Sequence, residues 1–201
     1  MLLTFLVGYY VPSVNAALTS LKLPIKVFEL ELPVLYFVPG TVVAVVARIF
    51  RLHNGLAKVF HIRERFDVSK ILVPLSNAVG AGIPVTKIRD NRDVAMRKAF
   101  YRYASFDEPK ISKELVLSAI DTWTWYWALL ELALLFVITA AVLAYFRSFR
   151  PAICILIAAA VSILIFLTVF RVGGRKAQYQ IDDITSDAQR VEEIKREFKA
   201  L

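Results

Sequence analysis

The chain has 201 residues, of which 58% are hydrophobic and 21% are charged, and its formal net charge is +8. Typical soluble domains hold roughly 45–50% apolar residues, so the excess favours a membrane protein, and the charged content excludes a disordered chain. The single cysteine, Cys154, excludes a disulfide scaffold, and with only two histidines it cannot complete a structural zinc site.

The first fifty residues predict a kinked transmembrane hairpin. Residues 2–21 and 32–47 carry no charge, and the turn 22–31 separates them. Pro39-Gly40 would kink the second span, because proline removes a backbone hydrogen bond. A cleaved signal peptide ending near Ala16 is the competing interpretation, although it would lack the usual positive n-region.

Residues 51–122 predict a basic helical domain, with 13 of the 25 Lys and Arg residues. We expect an amphipathic helix over 66–78 and a loop at 80–82. Asp90 is the predicted N-cap of a helix through residue 104, since its carboxylate can accept from free N–H groups. A further helix should begin after Ser112 and continue directly into the membrane.

Five basic residues of this domain, interleaved with aromatic ones, form a candidate binding surface. Three partners remain open: anionic headgroups, where each basic side chain contributes about 1 kcal/mol, an acidic protein or phosphate-bearing ligand such as a nucleotide messenger, and nucleic acid. Asp90 and Asp93 lower the local charge, which disfavours nucleic acid as a direct ligand. The five residues are Arg89, Arg92, Arg97, Lys98 and Arg102.

The second predicted hairpin comprises residues 125–146 and 151–170, separated by a turn that holds Arg147 and Arg150. An apolar helix of about 20 residues is about 30 Å long, which matches the hydrocarbon core of a bilayer. Aromatic residues at both ends of the first segment are typical of membrane-interface belts.

Glu131 is the one charged residue inside these two segments. A carboxylate that faces lipid costs a few kcal/mol, so Glu131 should face other helices. It is either a pore-lining or coupling residue, or a buried glutamate with a hydrogen-bond partner. The candidate partners are Tyr9, Tyr10, Asn15 and Thr139.

The tail predicts a flexible joint at Gly173-Gly174, followed by an amphipathic helix. Apolar residues recur there at alternating spacings of three and four, which is the a/d stripe of a short coiled coil, although Lys195 occupies one of its positions. We expect this helix to self-associate or to dock on the 51–122 domain. The apolar stripe comprises Ile181, Ile184, Ala188, Val191 and Phe198.

The predicted fold class is therefore all-α: a polytopic membrane protein with four transmembrane helices in two hairpins. Its expected domains are a hairpin over 1–50, a cytoplasmic domain over 51–122, a second hairpin over 123–171 and a cytoplasmic tail over 172–201. The basic residues of the second and fourth segments place both in the cytoplasm of a bacterial inner membrane, together with both termini.

The sequence contains no phosphate-binding loop, dinucleotide fingerprint or nucleophile elbow. His53 and His61 lie eight residues apart, which differs from the spacing of helical zinc ligands. We therefore predict no enzyme activity, no cofactor and no metal site.

The architecture resembles small four-span bacterial proteins of anti-phage defence systems, of the Kiwa membrane-subunit type. The likeness consists of a hairpin, a basic insert with the run HIRERFD at 61–67, a second hairpin and a charged helical tail. It implies a homo-oligomer that recruits a soluble partner and responds to disturbance of the membrane, and it transfers no functional residue.

The leading functional hypothesis is a non-enzymatic, oligomeric membrane protein whose cytoplasmic domain binds a soluble partner or signal. Membrane lipids and further copies of the chain are its other expected partners. A small ion channel or transporter subunit is the alternative, favoured by the broken helix at Pro39-Gly40 and by Glu131.

Overall fold

The structure is a computed structural model that describes residues 2–20, 24–27, 30–33, 41, 45 and 52–201. The chain divides into two compact units, which are described separately. Unit 1 comprises Met1–Gly55 and Ala128–Phe166, and unit 2 comprises Leu56–Trp127 and Leu167–Leu201. Helices make up most of the described residues of both units.

The N-terminal region contains two short helices and a β-hairpin. Helix α1 (Leu2–Tyr10) and helix α2 (Pro12–Thr19) are interrupted at Val11. Pro12 is the cause, because a proline at the first position of a helix has no N–H to continue the preceding one. Strands β1 (Pro24–Val27) and β2 (Leu30–Pro33) pair antiparallel in the register Ile25–Leu32.

The prediction of four transmembrane helices is wrong. Helices α1 and α2 have nine and eight residues, so they are about 14 and 12 Å long and neither crosses a hydrocarbon core of about 30 Å. The predicted span 32–47 lies outside the described residues except for four positions, and the first two of these end β2. Among the described residues, two helices are long and apolar enough to cross a membrane.

Unit 2 begins with a series of short helices. Its first elements are α3 (Leu52–Val59), which starts in unit 1, α4 (Ile62–Phe66), the π-helix π1 (Asp67–Leu72) and α5 (Val73–Ala78). Gly80 and Gly82 follow with φ of +61° and +65°, a conformation that favours glycine. Helices α6 (Val85–Asp90) and α7 (Arg92–Ala95) lead into the second π-helix, π2 (Met96–Phe100). Asp90 therefore ends α6, and its predicted role as the N-cap of the next helix is wrong.

The two long helices account for the second predicted hairpin. Helix α8 (Lys113–Tyr145) begins directly after Ser112, and helix α9 (Phe149–Thr185) follows a turn in which Arg147 has a φ of +60°. Gly173-Gly174 lies inside α9, so the predicted flexible joint does not exist. Intrahelical hydrogen bonds outweigh the cost of about 1 kcal/mol per glycine at these two positions.

The C-terminal helix α10 (Ala188–Lys199) is separated from α9 by a break at Ser186-Asp187. The Asp187 carboxylate caps α10, because its Oδ1 accepts from Gln189 N at 2.8 Å and from Arg190 N at 3.4 Å. Both α10 and the end of α9 contribute to the core of unit 2. That core includes Leu72, Leu75, Ile88, Met96, Phe100, Tyr103, Ile181, Ile184, Ile194 and Phe198.

Unit 1 has a smaller core. Val11 between its two short helices packs with residues of α8 and α9 near the turn that joins them. The Ser148 hydroxyl of that turn donates to the Tyr10 carbonyl oxygen at 3.3 Å. The buried members of this cluster are Val11, Ala140, Leu143, Ala152 and Ile155.

Candidate functional site

Unit 2 contains a cavity of about 410 Å³, which is within the range of about 300–1,000 Å³ that is usual for small-molecule sites. Its wall is mostly apolar and aromatic, with a few polar groups. We call it the Asp67 pocket. Its lining includes Arg63, Phe66, Asp67, Phe100, Tyr101, Phe106, Ala119, Trp123, Gly173, Ala177 and Gln180.

Small residues on the long helices leave this space open, and aromatic rings form its wall. The Phe66 and Trp123 rings are in contact, with centroids 4.9 Å apart. A Cβ atom at Gly173 would lie 3.4 Å from Phe66 Cε2. The glycine therefore allows the end of α4, where Phe66 lies, to approach α9 closely. Ala119 and Ala177 present only a methyl group to the cavity.

Asp67 is the buried acid of the pocket, with only 6% of its surface exposed. Loss of hydration raises the pKa of its carboxyl from 3.8 to about 6, although the positive charges of Arg92 and Arg63 oppose the shift. The closest approach is 3.8 Å, between Arg92 Nε and Asp67 Oδ2. The pocket therefore presents a carboxyl group whose protonation changes near neutral pH.

Both π-helices contribute to the pocket. Asp67 is the first residue of π1, and Tyr101 directly follows π2, where its N–H donates to the Met96 carbonyl at 2.8 Å. A π-helix contains an extra residue per turn, so it changes which side chains share a face, and such segments are frequent at functional sites. Asp67 was not among the site residues predicted from the sequence. An acid beside Phe66 at the start of an apolar helix was the only available signal.

Four of the five basic residues predicted as a binding surface lie near carboxylates, which form two sets. Arg89 Nε lies 3.9 Å from Glu64, and Arg92 approaches both Asp67 and Asp93. These contacts connect α6 to α4 and α7 to π1.

The other predicted basic residues face the C-terminal helix. Lys98 Nζ lies 3.4 Å from Glu197 Oε2, and Arg102 lies 3.5 Å from Glu193 Oε2. Arg97 is exposed, and within the part of the chain that the structure describes it has no carboxylate within 4.0 Å. Four of the five cations thus have intramolecular carboxylate neighbours.

Four of the five apolar residues of the predicted tail stripe lie in or against the core of unit 2, whereas Ala188 is exposed. Ile181, Ile184 and Phe198 are fully buried, and Val191 is half-buried. Ile194 is also fully buried. The predicted stripe assumed one continuous helix and therefore assigned this core position to Lys195 instead of Ile194. The break before α10 shifts the periodicity, so that 191, 194 and 198 share a face.

A hydrogen bond also joins α10 to the loop after π2. Tyr103 OH donates to Glu193 Oε2 at 2.8 Å. Burial and this bond to an acid raise the pKa of Tyr103 to about 12, and the same bond holds the pKa of Glu193 below its usual value.

Glu131 lies in unit 1, half-buried on α8. Thr139, one of its candidate partners, donates to the Leu135 carbonyl instead. Within the described parts of the chain, no hydrogen bond or ion pair is made by the Glu131 carboxylate. Among the described residues Glu131 therefore lacks the predicted hydrogen bond, and it does not line the Asp67 pocket.

The sequence profile of the YmfE protein family matches residues 2–200, and the chain therefore belongs to this family. Comparison with curated proteins and with solved structures found no match. The resemblance to anti-phage defence proteins stays a prediction, because the family description names no function.

Proposed function

We propose that this member of the YmfE family is a non-enzymatic protein of the bacterial inner membrane. In this proposal α8 and α9 cross the bilayer, and unit 2 binds a signal or a soluble partner in the cytoplasm. The observation that carries the proposal is the exposure of the two long apolar helices.

The most apolar 18-residue windows of α8 and α9 have mean hydropathies of 2.4 and 3.0, yet only 22% and 11% of them are buried. A core helix of a water-soluble protein would instead be mostly buried. Ile153, Ile157 and Val161 of α9 are each about half exposed. Continuous apolar surfaces of this size indicate contact with lipid or with other protein chains.

The charge distribution supports a cytoplasmic location for unit 2. Residues 51–122 carry 13 Lys and Arg residues and 171–201 carry seven, whereas the turn between α8 and α9 holds Arg147, with Arg150 nearby. Short segments rich in Lys and Arg remain on the cytoplasmic side. The predicted side of the N-terminus depended on four spans, so the proposal covers unit 2 and the C-terminus only.

Cysteine labelling tests this topology. In a Cys154→Ser background, Ser148→Cys marks the α8–α9 turn and Asp107→Cys marks an exposed loop of unit 2. A membrane-impermeant maleimide should label the first variant on intact cells and the second only after lysis. Labelling of Asp107→Cys on intact cells, or release of the protein by alkaline carbonate, would contradict the proposal.

The Asp67 pocket supports binding of a small, mostly apolar signal. Filling it from α8 with Ala119→Phe should prevent binding, whereas Ala141→Phe adds the same ring at an exposed position of the same helix. Indole, naphthol and benzimidazole serve as probes, and the melting temperature of unit 2 is followed by differential scanning calorimetry. We expect a saturable increase for the wild type and Ala141→Phe only. Equal increases in all three proteins would show that the probes act through the detergent.

Glu131 supports a second candidate, an oligomeric channel or transporter subunit. Its half-buried carboxylate sits in the apolar part of α8, where exposure to lipid costs a few kcal/mol. Contact with another copy of the chain would remove that cost. Light scattering of the detergent complex measures the copy number, and planar-bilayer recordings compare the wild type with Glu131→Gln. A monomer without conductance would refute this candidate.

A further inference from the structure

A second surface of unit 2 is a groove of about 850 Å³ along the outer side of α4 and π1. We propose that this groove holds the headgroup of an anionic phospholipid, and we call it the Arg65 groove. The inference rests on the proposed function, because it requires α9 to cross a bilayer. The lining residues are His61, Glu64, Arg65, Val68, Ser69, Lys70, Arg89 and Phe170.

Two cations of this groove lie on either side of the point where π1 begins. Arg65 and Lys70 are five residues apart, which in a regular α-helix separates their directions by about 140°. In π1 the hydrogen bonds join residues five apart, as in the bond from Val73 N–H to the Val68 carbonyl. Residues at that spacing then lie closer to one face. Arg65 belongs to α4 and Lys70 to π1, and both line the groove.

These two cations differ from most of the predicted basic surface. Both are exposed, and in the described part of the chain neither has a carboxylate within 4.0 Å. The one acid of the groove, Glu64, is already 3.1 Å from His61 Nδ1 and 3.9 Å from Arg89 Nε. Arg65 and Lys70 are therefore available to an external anion.

Contact with α9 limits the freedom of Lys70. A Cβ atom at Gly174 would lie 3.3 Å from Lys70 Cδ, so the aliphatic part of the lysine rests against this glycine. A partly ordered lysine loses less conformational freedom when it binds an anion.

The position of Phe170 identifies the anion as a lipid headgroup. Phe170 lines the groove and ends the uncharged stretch 151–170 of α9, and Arg171 follows it directly. In the proposed topology the hydrocarbon core ends at this level, where lipid phosphates are found. Basic pockets at this depth on the cytoplasmic side are typical of lipid recognition.

The test compares short-chain phosphatidylglycerol with phosphatidylcholine. Each lipid is titrated into full-length protein in maltoside micelles, and bound lipid is counted by native mass spectrometry. The wild type should prefer phosphatidylglycerol. The double variant Arg65→Gln/Lys70→Gln should bind it about 30-fold more weakly, since each basic side chain contributes about 1 kcal/mol and 1.4 kcal/mol corresponds to tenfold.

Lys87→Gln/Arg97→Gln is the matched control. It removes the same charge from exposed positions of unit 2 outside the groove, and it should retain the wild-type affinity. Equal losses in the two double variants would overturn the proposal, because they would indicate a general charge effect. Glycerol phosphate, tested as a competitor, should bind far more weakly than the lipid. Equal binding would assign the groove to a soluble phosphate and would also overturn the proposal.

Carbonate extraction of the same proteins separates the two proposals. If the wild type stays in the membrane fraction and the double variant keeps its lipid preference, only the groove proposal fails. If the wild type is released, the membrane proposal fails and the groove proposal fails with it. Circular dichroism and the melting temperature establish that both double variants are folded.

Discussion

Ile194→Ala tests the arrangement of the C-terminal helix against the core of unit 2. The apolar repeat of the tail, taken as one continuous helix, places Lys195 inward. In the structure the break at Ser186-Asp187 shifts the periodicity, and Ile194 is fully buried instead. Truncation of residue 194 and truncation of residue 195 must therefore have very different effects.

The magnitude follows from burial. Replacing a fully buried isoleucine by alanine removes three carbon atoms and leaves a cavity, which typically costs about 2–5 kcal/mol. Lys195 is half-exposed, and surface substitutions usually change stability by less than about 0.5 kcal/mol. In a domain of about 100 residues each kcal/mol shifts the melting temperature by about 4–8 °C, so Ile194→Ala should lower it by at least about 8 °C.

Tryptophan fluorescence is a suitable assay, because Trp123, Trp125 and Trp127 all belong to unit 2 and the first packs against its core. The full-length variants are heated in the same detergent, and Lys195→Ala serves as the control. We expect a large decrease for Ile194→Ala and a change within about 4 °C for Lys195→Ala.

The opposite result would refute the position of α10. A large decrease for Lys195→Ala with a normal Ile194→Ala protein would show that the tail continues α9 without a break. Equal and small changes would show that the tail does not dock on unit 2 in solution.

Three further predictions concern the surroundings of the Asp67 pocket and the α10 contact. Because the folded pKa of Asp67, about 6, exceeds its unfolded value of 3.8, its contribution to stability is complete below about pH 4 and is lost as pH rises through 6. Asp67→Asn should therefore match the wild type in thermal denaturation at pH 4 and be more stable at pH 7.5, by up to about 3 kcal/mol; a less stable variant at pH 7.5 would contradict this sign. Tyr103→Phe should lower the melting temperature by a few degrees. Adding Glu193→Gln should cause little further loss, because each change removes the same hydrogen bond between these two side chains. Gly173→Leu should destabilise unit 2 by about 1–3 kcal/mol through overlap with Phe66, whereas Gly55→Leu, with no atom within 4 Å of its Cβ position, should not.

Sequence reasoning located the two long helices because their signal is one of composition. A run of about 20 uncharged residues between arginines needs no tertiary information to predict a long apolar helix. The beginning of α8 after Ser112 was predictable for a similar local reason. The same criterion failed for residues 2–21, where Pro12 divides an apolar run into two short helices.

The joint at Gly173-Gly174 shows where local propensity is insufficient. Two adjacent glycines favour a break, yet α9 continues through them to Thr185. The glycines have a tertiary role instead, because Phe66 and Lys70 approach these positions so closely that larger side chains would require displacement. A single sequence does not distinguish a glycine that ends a helix from a glycine that allows another helix to pack closely.

The two π-helices explain why the binding surfaces were not predictable. Arg89, Arg92, Arg97, Lys98 and Arg102 form one cluster in sequence, but the fold directs four of them to acids of α4, π1, α7 and α10.

The two available cations of the groove, Arg65 and Lys70, do not share a face at α-helical spacing, and Asp67 between them lines the pocket. One π-helix thus supplies an acid to the pocket and a cation to the groove. The extra residue per turn of a π-helix changes which residues share a face. Predictions from the sequence assume α-helical spacing, so they could not identify either surface.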